Sequence, residues 1–186
     1  RIGRIIFMVL AAVWSGFVVF GRPFIELWAG PDNAEAYHVA VLLMTAYLLI
    51  ITESIGSQIL WAKNEHKEQA LMKLGVVLIN IVLTIILIKW DPLIGATIGT
   101  VISLVVGDIV IMNIVFAKKI KISLKQYYRG LFKGTLFSVL AATAAGAVIS
   151  LLPPDGWAGL ILKIAAMCIV YAVLLWSWGM NEFEKH

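Results

Sequence analysis

The chain has 186 residues, of which 61% are hydrophobic and 14% charged, and its formal net charge is +4. A soluble domain carries roughly 45–50% apolar and about 25% charged residues, so this composition excludes a soluble globular protein. The positive charge is typical of a membrane protein whose basic segments face anionic lipid, so it does not indicate a nucleic-acid partner. The single cysteine, Cys168, excludes a disulfide framework.

Six apolar segments predict membrane-spanning helices, although the third is short. A helix needs roughly 20 apolar residues to cross about 30 Å of hydrocarbon. Turn residues and prolines separate the segments, notably at Gly30-Pro31, Asp91-Pro92 and Pro153-Pro154. The sequence therefore predicts an all-α, polytopic membrane protein whose six spans are residues 4–21, 36–60, 71–89, 93–117, 131–152 and 157–178.

The basic residues orient these spans. Residues 118–133 carry six basic side chains and no acidic one, and a segment of this kind resists transfer across the membrane. With this segment in the cytoplasm, twelve Lys and Arg residues fall inside and three, Arg22, Lys89 and Lys163, fall outside. We therefore expect a multi-pass protein of the cell membrane with both termini in the cytoplasm.

Several short motifs lie in the first four predicted spans and in the polar segments beside them. They are Phe20–Gly30 (FGRPFIELWAG), Ala62–Lys67 (AKNEHK), Asn80, Ile94–Thr100 (IGATIGT), Ile102-Ser103 and Met112-Asn113. This pattern resembles the polysaccharide-biosynthesis flippases of the MATE-like exporter superfamily, the Wzx-type oligosaccharide flippases. The resemblance covers residues 15–125, and the last two spans fit the family by position and hydropathy only.

The resemblance implies flipping of a lipid-linked oligosaccharide, of the undecaprenyl-pyrophosphate type, during cell-surface polysaccharide biosynthesis. Family members have two pseudo-symmetric helical lobes around a central cavity, and residues 1–186 look like the C-terminal six-helix part of that fold. We then expect this part to need the missing N-terminal helices for transport. The alternatives are a cation-coupled antiporter of small molecules or drugs from the same superfamily and a non-transporting membrane scaffold subunit.

Glu53 is the foremost candidate for a functional group. A carboxylate inside a span costs about 2.5 kcal/mol or more to insert, so it should face protein or water. One interpretation is a cavity-lining group that binds a coupling cation, a proton or a sugar hydroxyl, and the other is a hydrogen-bonded contact between helices. Because no basic residue is close in the same helix, we expect its partner to come from the missing helices or from a transported cation.

Asp108, Asn80 and Lys163 are further candidates for binding substrate or a coupling ion. Asp108 lies nearer the cytoplasmic end of the fourth span, where a structural role is favoured: it either pairs with a basic group of another helix or reaches water on the inner side. Asn80, like Asn113, is expected to form hydrogen bonds between helices. Lys163 is expected to bend its ammonium back to the membrane interface, and contact with a substrate phosphate is the alternative.

Small residues recur at every fourth position in two spans. One stripe is Gly95, Gly99, Ser103 and Gly107, and the other is Gly130, Gly134, Ser138, Ala142, Gly146 and Ser150. Such stripes let helix backbones approach closely, so each should face a neighbouring helix; a surface that slides during transport is the alternative. Gly159 lies outside the second stripe and is expected to have more room.

Enzymatic chemistry has little support in the sequence. The three histidines, His38, His66 and His186, have no metal-ligand spacing, and no glycine-rich phosphate loop precedes a helix. We therefore expect no enzymatic activity, no cofactor and no bound metal. The partners that we expect are membrane lipid, the lipid-linked oligosaccharide that the resemblance implies, and the missing N-terminal helices.

Overall fold

The computed structural model describes residues 2–62, 66–120, 123–153 and 155–180. These residues are almost entirely helical and include no β-strand, which confirms the all-α prediction. Wider π-helical turns over Val105–Ile111, Phe116–Ile120 and Leu175–Gly179 continue α4, α5 and α8. In chain order the α-helices are α1 Ile2–Ala29, α2 Ala36–Ala62, α3 His66–Leu87, α4 Pro92–Leu104, α5 Met112–Val115, α6 Leu124–Phe132, α7 Thr135–Ser150 and α8 Gly156–Leu174.

Six helical stretches of the described chain are long and apolar enough to cross a membrane. They agree in number and order with the predicted spans, so the chain is a polytopic membrane protein. Large apolar side chains such as Leu71 and Val82 are more than half exposed, as expected of surfaces that lipid covers. The stretches are Ile2–Ala29, Ala36–Ser54, Gln69–Leu87, Pro92–Lys118, Leu124–Ser150 and Gly156–Gly179.

The first span is longer than predicted. The sequence predicts an end at residue 21, before Arg22 and Pro23, but α1 continues to Ala29. A proline removes one backbone hydrogen bond, and helices in membranes tolerate that loss. The Nε of Arg22 donates to Glu26 at 2.9 Å one turn later, which supports the continued helix. The helix ends at Gly30, whose φ of 91° is left-handed backbone that glycine adopts without strain.

The fifth span, predicted as one continuous helix over residues 131–152, differs from the prediction near its start. The short helix α6 precedes α7, and the chain breaks at Gly134, where φ is 79°. An added Cβ at Gly134 would lie 2.5 Å from the backbone oxygen of Trp178, so close packing holds this glycine in place. The basic segment 118–133, expected to be a loop, is therefore mostly helical. Its Lys121 lies outside the described residues.

The chain divides into two compact units, which are described separately. The first unit is Arg1–Ile6 with His38–Tyr128, and the second is Phe7–Tyr37 with Arg129–His186. In the first unit α3 packs along α4, and the Nδ2 of Asn80 donates to the Oγ1 of Thr100 at 3.4 Å. This contact confirms that Asn80 joins two helices.

The first stripe of small residues faces α3, as predicted. An added Cβ at Gly95 would lie 2.2 Å from the backbone oxygen of Leu87, and one at Gly107 would lie 1.9 Å from a methyl group of Val76. The start of α4 also agrees with the prediction, because the Oδ1 of Asp91 accepts hydrogen bonds from the first backbone N–H groups of the helix.

The second unit packs α1, α7 and α8 against one another. Phe20, Leu160 and Met167 form its apolar core. The hydroxyl of Tyr171 donates to the backbone oxygen of Met8 at 2.7 Å, which ties α8 to α1. An added Cβ at Gly146 would lie 2.6 Å from the sulfur of Met167, so the second stripe faces α8 in this region.

Two sequence expectations about this stripe are corrected. Gly130 lies on α6, before the break at Gly134, and an added Cβ there would meet nothing within 4 Å. Gly159, expected to have more room, is buried on α8. Small residues at every fourth position therefore predict a packing face only where they lie on one continuous helix.

Candidate functional site

A cleft of about 250 Å³, mostly apolar but with several polar side chains, lies within the first unit, between α2, α3 and the helical stretch that follows α4. Its apolar walls include Met112 and Phe116, which pack with the buried Leu60. Its polar lining consists of Glu53, Ser54, Ser57, Gln58, Lys73 and Asp108, together with Gln69. Glu53 and Asp108, which the sequence suggests as separate candidates, thus face one cleft.

Helix geometry explains how these side chains meet. Glu53 lies nine residues before the end of α2 at Ala62, which is about 14 Å at 1.5 Å per residue. Lys73 stands in the second turn of α3, close to the same end, because the two helices run in succession through a short connection. Asp108 lies in the π-helical turn Val105–Ile111, whose wider winding changes the direction of its side chains.

Neutral donors hold the carboxylate of Glu53. Glu53 is 5% exposed, and the Nδ2 of Asn113 donates to both of its carboxylate oxygens at 3.2 Å. The hydroxyl of Tyr128 donates to the same carboxylate and accepts a second hydrogen bond from Asn113 at 2.7 Å. These bonds join α2, α5 and α6, so Glu53 is a contact between helices that also reaches a cleft.

The expectation that the partner of Glu53 comes from missing helices or from a transported cation is therefore wrong. Both partners lie in the same unit, and both are uncharged. The sequence offers no signal that Tyr128 contacts Glu53, because its basic neighbours predict a cytoplasmic loop there. The neighbouring Tyr127 strengthens the contact, since its hydroxyl donates to the backbone oxygen of Thr52 at 3.0 Å.

Asp108 forms an ion pair with Lys73. The carboxylate side chain is 10% exposed and the lysine side chain 55%, so the pair extends from the protein interior towards the opening of the cleft. The prediction that Asp108 pairs with a basic group of another helix is confirmed. Among the described lining residues, two carboxylates and one ammonium face the cleft, so the lining offers oxygens that can accept a proton or hydrogen bonds from hydroxyl groups.

Asn80 and Lys163 lie apart from this cleft. Asn80 stands in the contact between α3 and α4, where it also accepts a hydrogen bond from Thr84 at 3.0 Å. Lys163 belongs to the second unit, and its ammonium donates to the backbone oxygen of Ser150 and to Asp155, both at 3.3 Å. That ammonium reaches back to the ends of α7 and α8, the direction in which the interface was expected to lie.

A metal site has no support in the part of the chain that the structure describes, where no three His, Cys, Asp or Glu side chains come together. No protein-family model, no curated protein and no solved structure matches this chain. The family resemblance therefore stays a prediction that depends on the motifs quoted above.

Proposed function

We propose that this protein flips a lipid-linked oligosaccharide across the cell membrane and that the cleft at Glu53 takes part in transport. The observation that carries this proposal is a buried carboxylate in a membrane-spanning unit that is held by neutral donors and lines a cleft. A glutamine or leucine at this depth costs less to insert, so an ionisable side chain points to a use beyond packing.

The class of substrate comes from the motif resemblance, and the chemistry of the cleft agrees with it. Carboxylate oxygens accept hydrogen bonds from sugar hydroxyls, while Ser54 and Ser57 both donate and accept. Trp61 adds a half-exposed aromatic wall. In this proposal the six spans act with the N-terminal helices that the resemblance implies.

Deletion of the gene in its own host tests the function. We expect lipid-linked oligosaccharide to accumulate in the cytoplasmic leaflet and surface polysaccharide to fall, and the complete gene to restore both. The intermediate is measured by labelling with a radioactive sugar and extracting the lipids, and its leaflet by treating intact cells and opened cells with periodate, which does not cross membranes.

Each alternative gives a different result. A drug antiporter leaves the intermediate unchanged and makes the deletion strain sensitive to drugs. A scaffold subunit lowers surface polysaccharide, but the complete purified protein does not flip the lipid in vesicles. Either result would contradict the flippase proposal.

For orientation we propose that both termini and the basic segment 118–133 face the cytoplasm, because this arrangement places twelve of fifteen Lys and Arg residues inside. In a variant without the native Cys168, single cysteines at Asn33 and Asp155 should react with an impermeant maleimide on intact cells. A cysteine at the exposed Gln126 should react only after the cells are opened. Labelling of position 126 from outside would reverse the orientation.

A further inference from the structure

A second cleft, of about 300 Å³, lies within the second unit, where α7 ends and α8 begins. Its volume is at the lower end of the range of about 300–1,000 Å³ that is typical of small-molecule sites. Phe20, Leu27 and Leu160 form an apolar floor, and Glu26, Asp155 and Lys163 supply charge. The proposed transport function assigns nothing to this cleft.

Lys163 presents a positive charge to this cleft from a largely buried position. Its side chain is 12% exposed, and its ammonium donates to the backbone oxygen of Ser150 and to Asp155. An ammonium has three hydrogens to donate, so one remains for a ligand that accepts hydrogen bonds. The burial of the lysine stem fixes the position of the charge, in contrast to a lysine on an open surface.

Two carboxylates line the same cleft: Asp155 accepts a hydrogen bond from that ammonium at 3.3 Å, and Glu26 accepts one from the Nε of Arg22 at 2.9 Å. The side chain of Glu26 is 38% exposed and that of Asp155 is 99% exposed, so both can receive a second partner from solvent or from a ligand. A purely anionic ligand at Lys163 would meet repulsion from these carboxylates. A ligand with one negative and one positive group would satisfy both signs of charge.

The position of the cleft along the spans points to membrane lipid. Trp28 and Trp157 flank it, with rings that are 73% and 46% exposed, and both rings contact Phe24. Exposed tryptophans at the ends of spans mark the depth of lipid headgroups. At that depth the abundant amphipathic molecules are phospholipids.

We propose that this cleft binds the headgroup of a zwitterionic phospholipid that carries a primary ammonium, namely phosphatidylethanolamine. The phosphate accepts the remaining hydrogen of Lys163, and the ammonium donates to Glu26 and Asp155. The glycerol and the upper acyl chains lie on Leu27 and Leu160. A choline headgroup has no N–H to donate, and a glycerol headgroup brings no positive charge, so both bind more weakly.

Lipid-dependent stability of the purified protein tests this site. After delipidation in detergent, we expect phosphatidylethanolamine to raise Tm more than equal amounts of phosphatidylcholine or phosphatidylglycerol with the same chains. Native mass spectrometry should show the same order of retention. Lys163→Met should weaken phosphatidylethanolamine binding about tenfold, which corresponds to one lost charge-assisted hydrogen bond.

Two further variants separate lipid binding from a merely structural role of Lys163. Glu26→Gln changes a partly exposed side chain and should lower the preference for ethanolamine over choline, because only Asp155 keeps its charge, with the phosphate contact retained. Lys89→Met changes an exposed lysine in the turn after α3, outside the cleft, and should keep the wild-type order of lipids. Equal stabilisation by the three lipids, or an unchanged preference in both Lys163→Met and Glu26→Gln, would overturn the proposal.

Discussion

Replacement of Glu53 by glutamine in the complete protein is expected to leave the protein folded and to lower oligosaccharide transport at least about tenfold, the effect of losing one charged interaction. Glutamine keeps the shape of the side chain and an oxygen that accepts the hydrogen bond of Tyr128. It removes the negative charge at the cleft. Transport is measured as the appearance of labelled oligosaccharide on the outer leaflet, at matched amounts of protein in the membrane.

Asn80→Leu is the matched control, because it removes another polar group, a half-buried one, from a span but lies outside the cleft. Loss of its bond to Thr100 should cost about 0.6 kcal/mol, the average for such bonds in membranes, and transport should stay near the wild-type rate. A wild-type transport rate in the Glu53→Gln variant would show that Glu53 has a purely structural role. Equal loss in both variants would show that transport responds to helix packing rather than to the charge.

Gly95→Ala is expected to destabilise the protein by about 3 kcal/mol or more, the upper range for overpacking a buried site. The added Cβ would lie 2.2 Å from the backbone oxygen of Leu87 and 2.6 Å from its carbonyl carbon. Backbone atoms cannot move aside as the end of a flexible side chain does, so α3 and α4 would have to separate. Thermal unfolding in detergent measures the effect as a lower Tm.

Gly75→Ala provides the control on the adjacent helix α3. An added Cβ at Gly75 meets nothing within 4 Å, and alanine in a helix is favoured over glycine by about 0.8–1.0 kcal/mol. We therefore expect an unchanged or slightly higher Tm for this variant. Similar Tm values for the two variants would contradict the close contact between α3 and α4.

The sequence predicts the number and order of the spans because lipid imposes one strong condition. Each crossing must satisfy its own backbone hydrogen bonds, so it is a helix, and its apolar length is visible in the chain. Polar and small side chains in lipid have few alternatives to a neighbouring helix. The sequence therefore also predicts three contacts between helices, at Asn80, at Asp108 and at the stripe that includes Gly95.

Helix ends were less predictable. The sequence suggests a stop at Pro23, yet α1 continues, and it suggests a continuous helix through Gly134, yet the chain breaks there. Helices in membranes tolerate a proline because neighbouring groups satisfy the backbone oxygen that it frees. The positive φ of Gly134 depends on the nearby backbone of Trp178, which is a contact between residues distant in sequence.

The sequence by itself determined that this is a six-span membrane protein and that the carboxylate of Glu53 lies within a predicted span. Only the tertiary structure decided what surrounds that carboxylate. Tyr128 is 75 positions away along the chain, on a helix that the charge pattern presents as a loop. Helical periodicity relates residues three or four positions apart, whereas a hydrogen bond between helices depends on the rotation and depth of both, which packing sets.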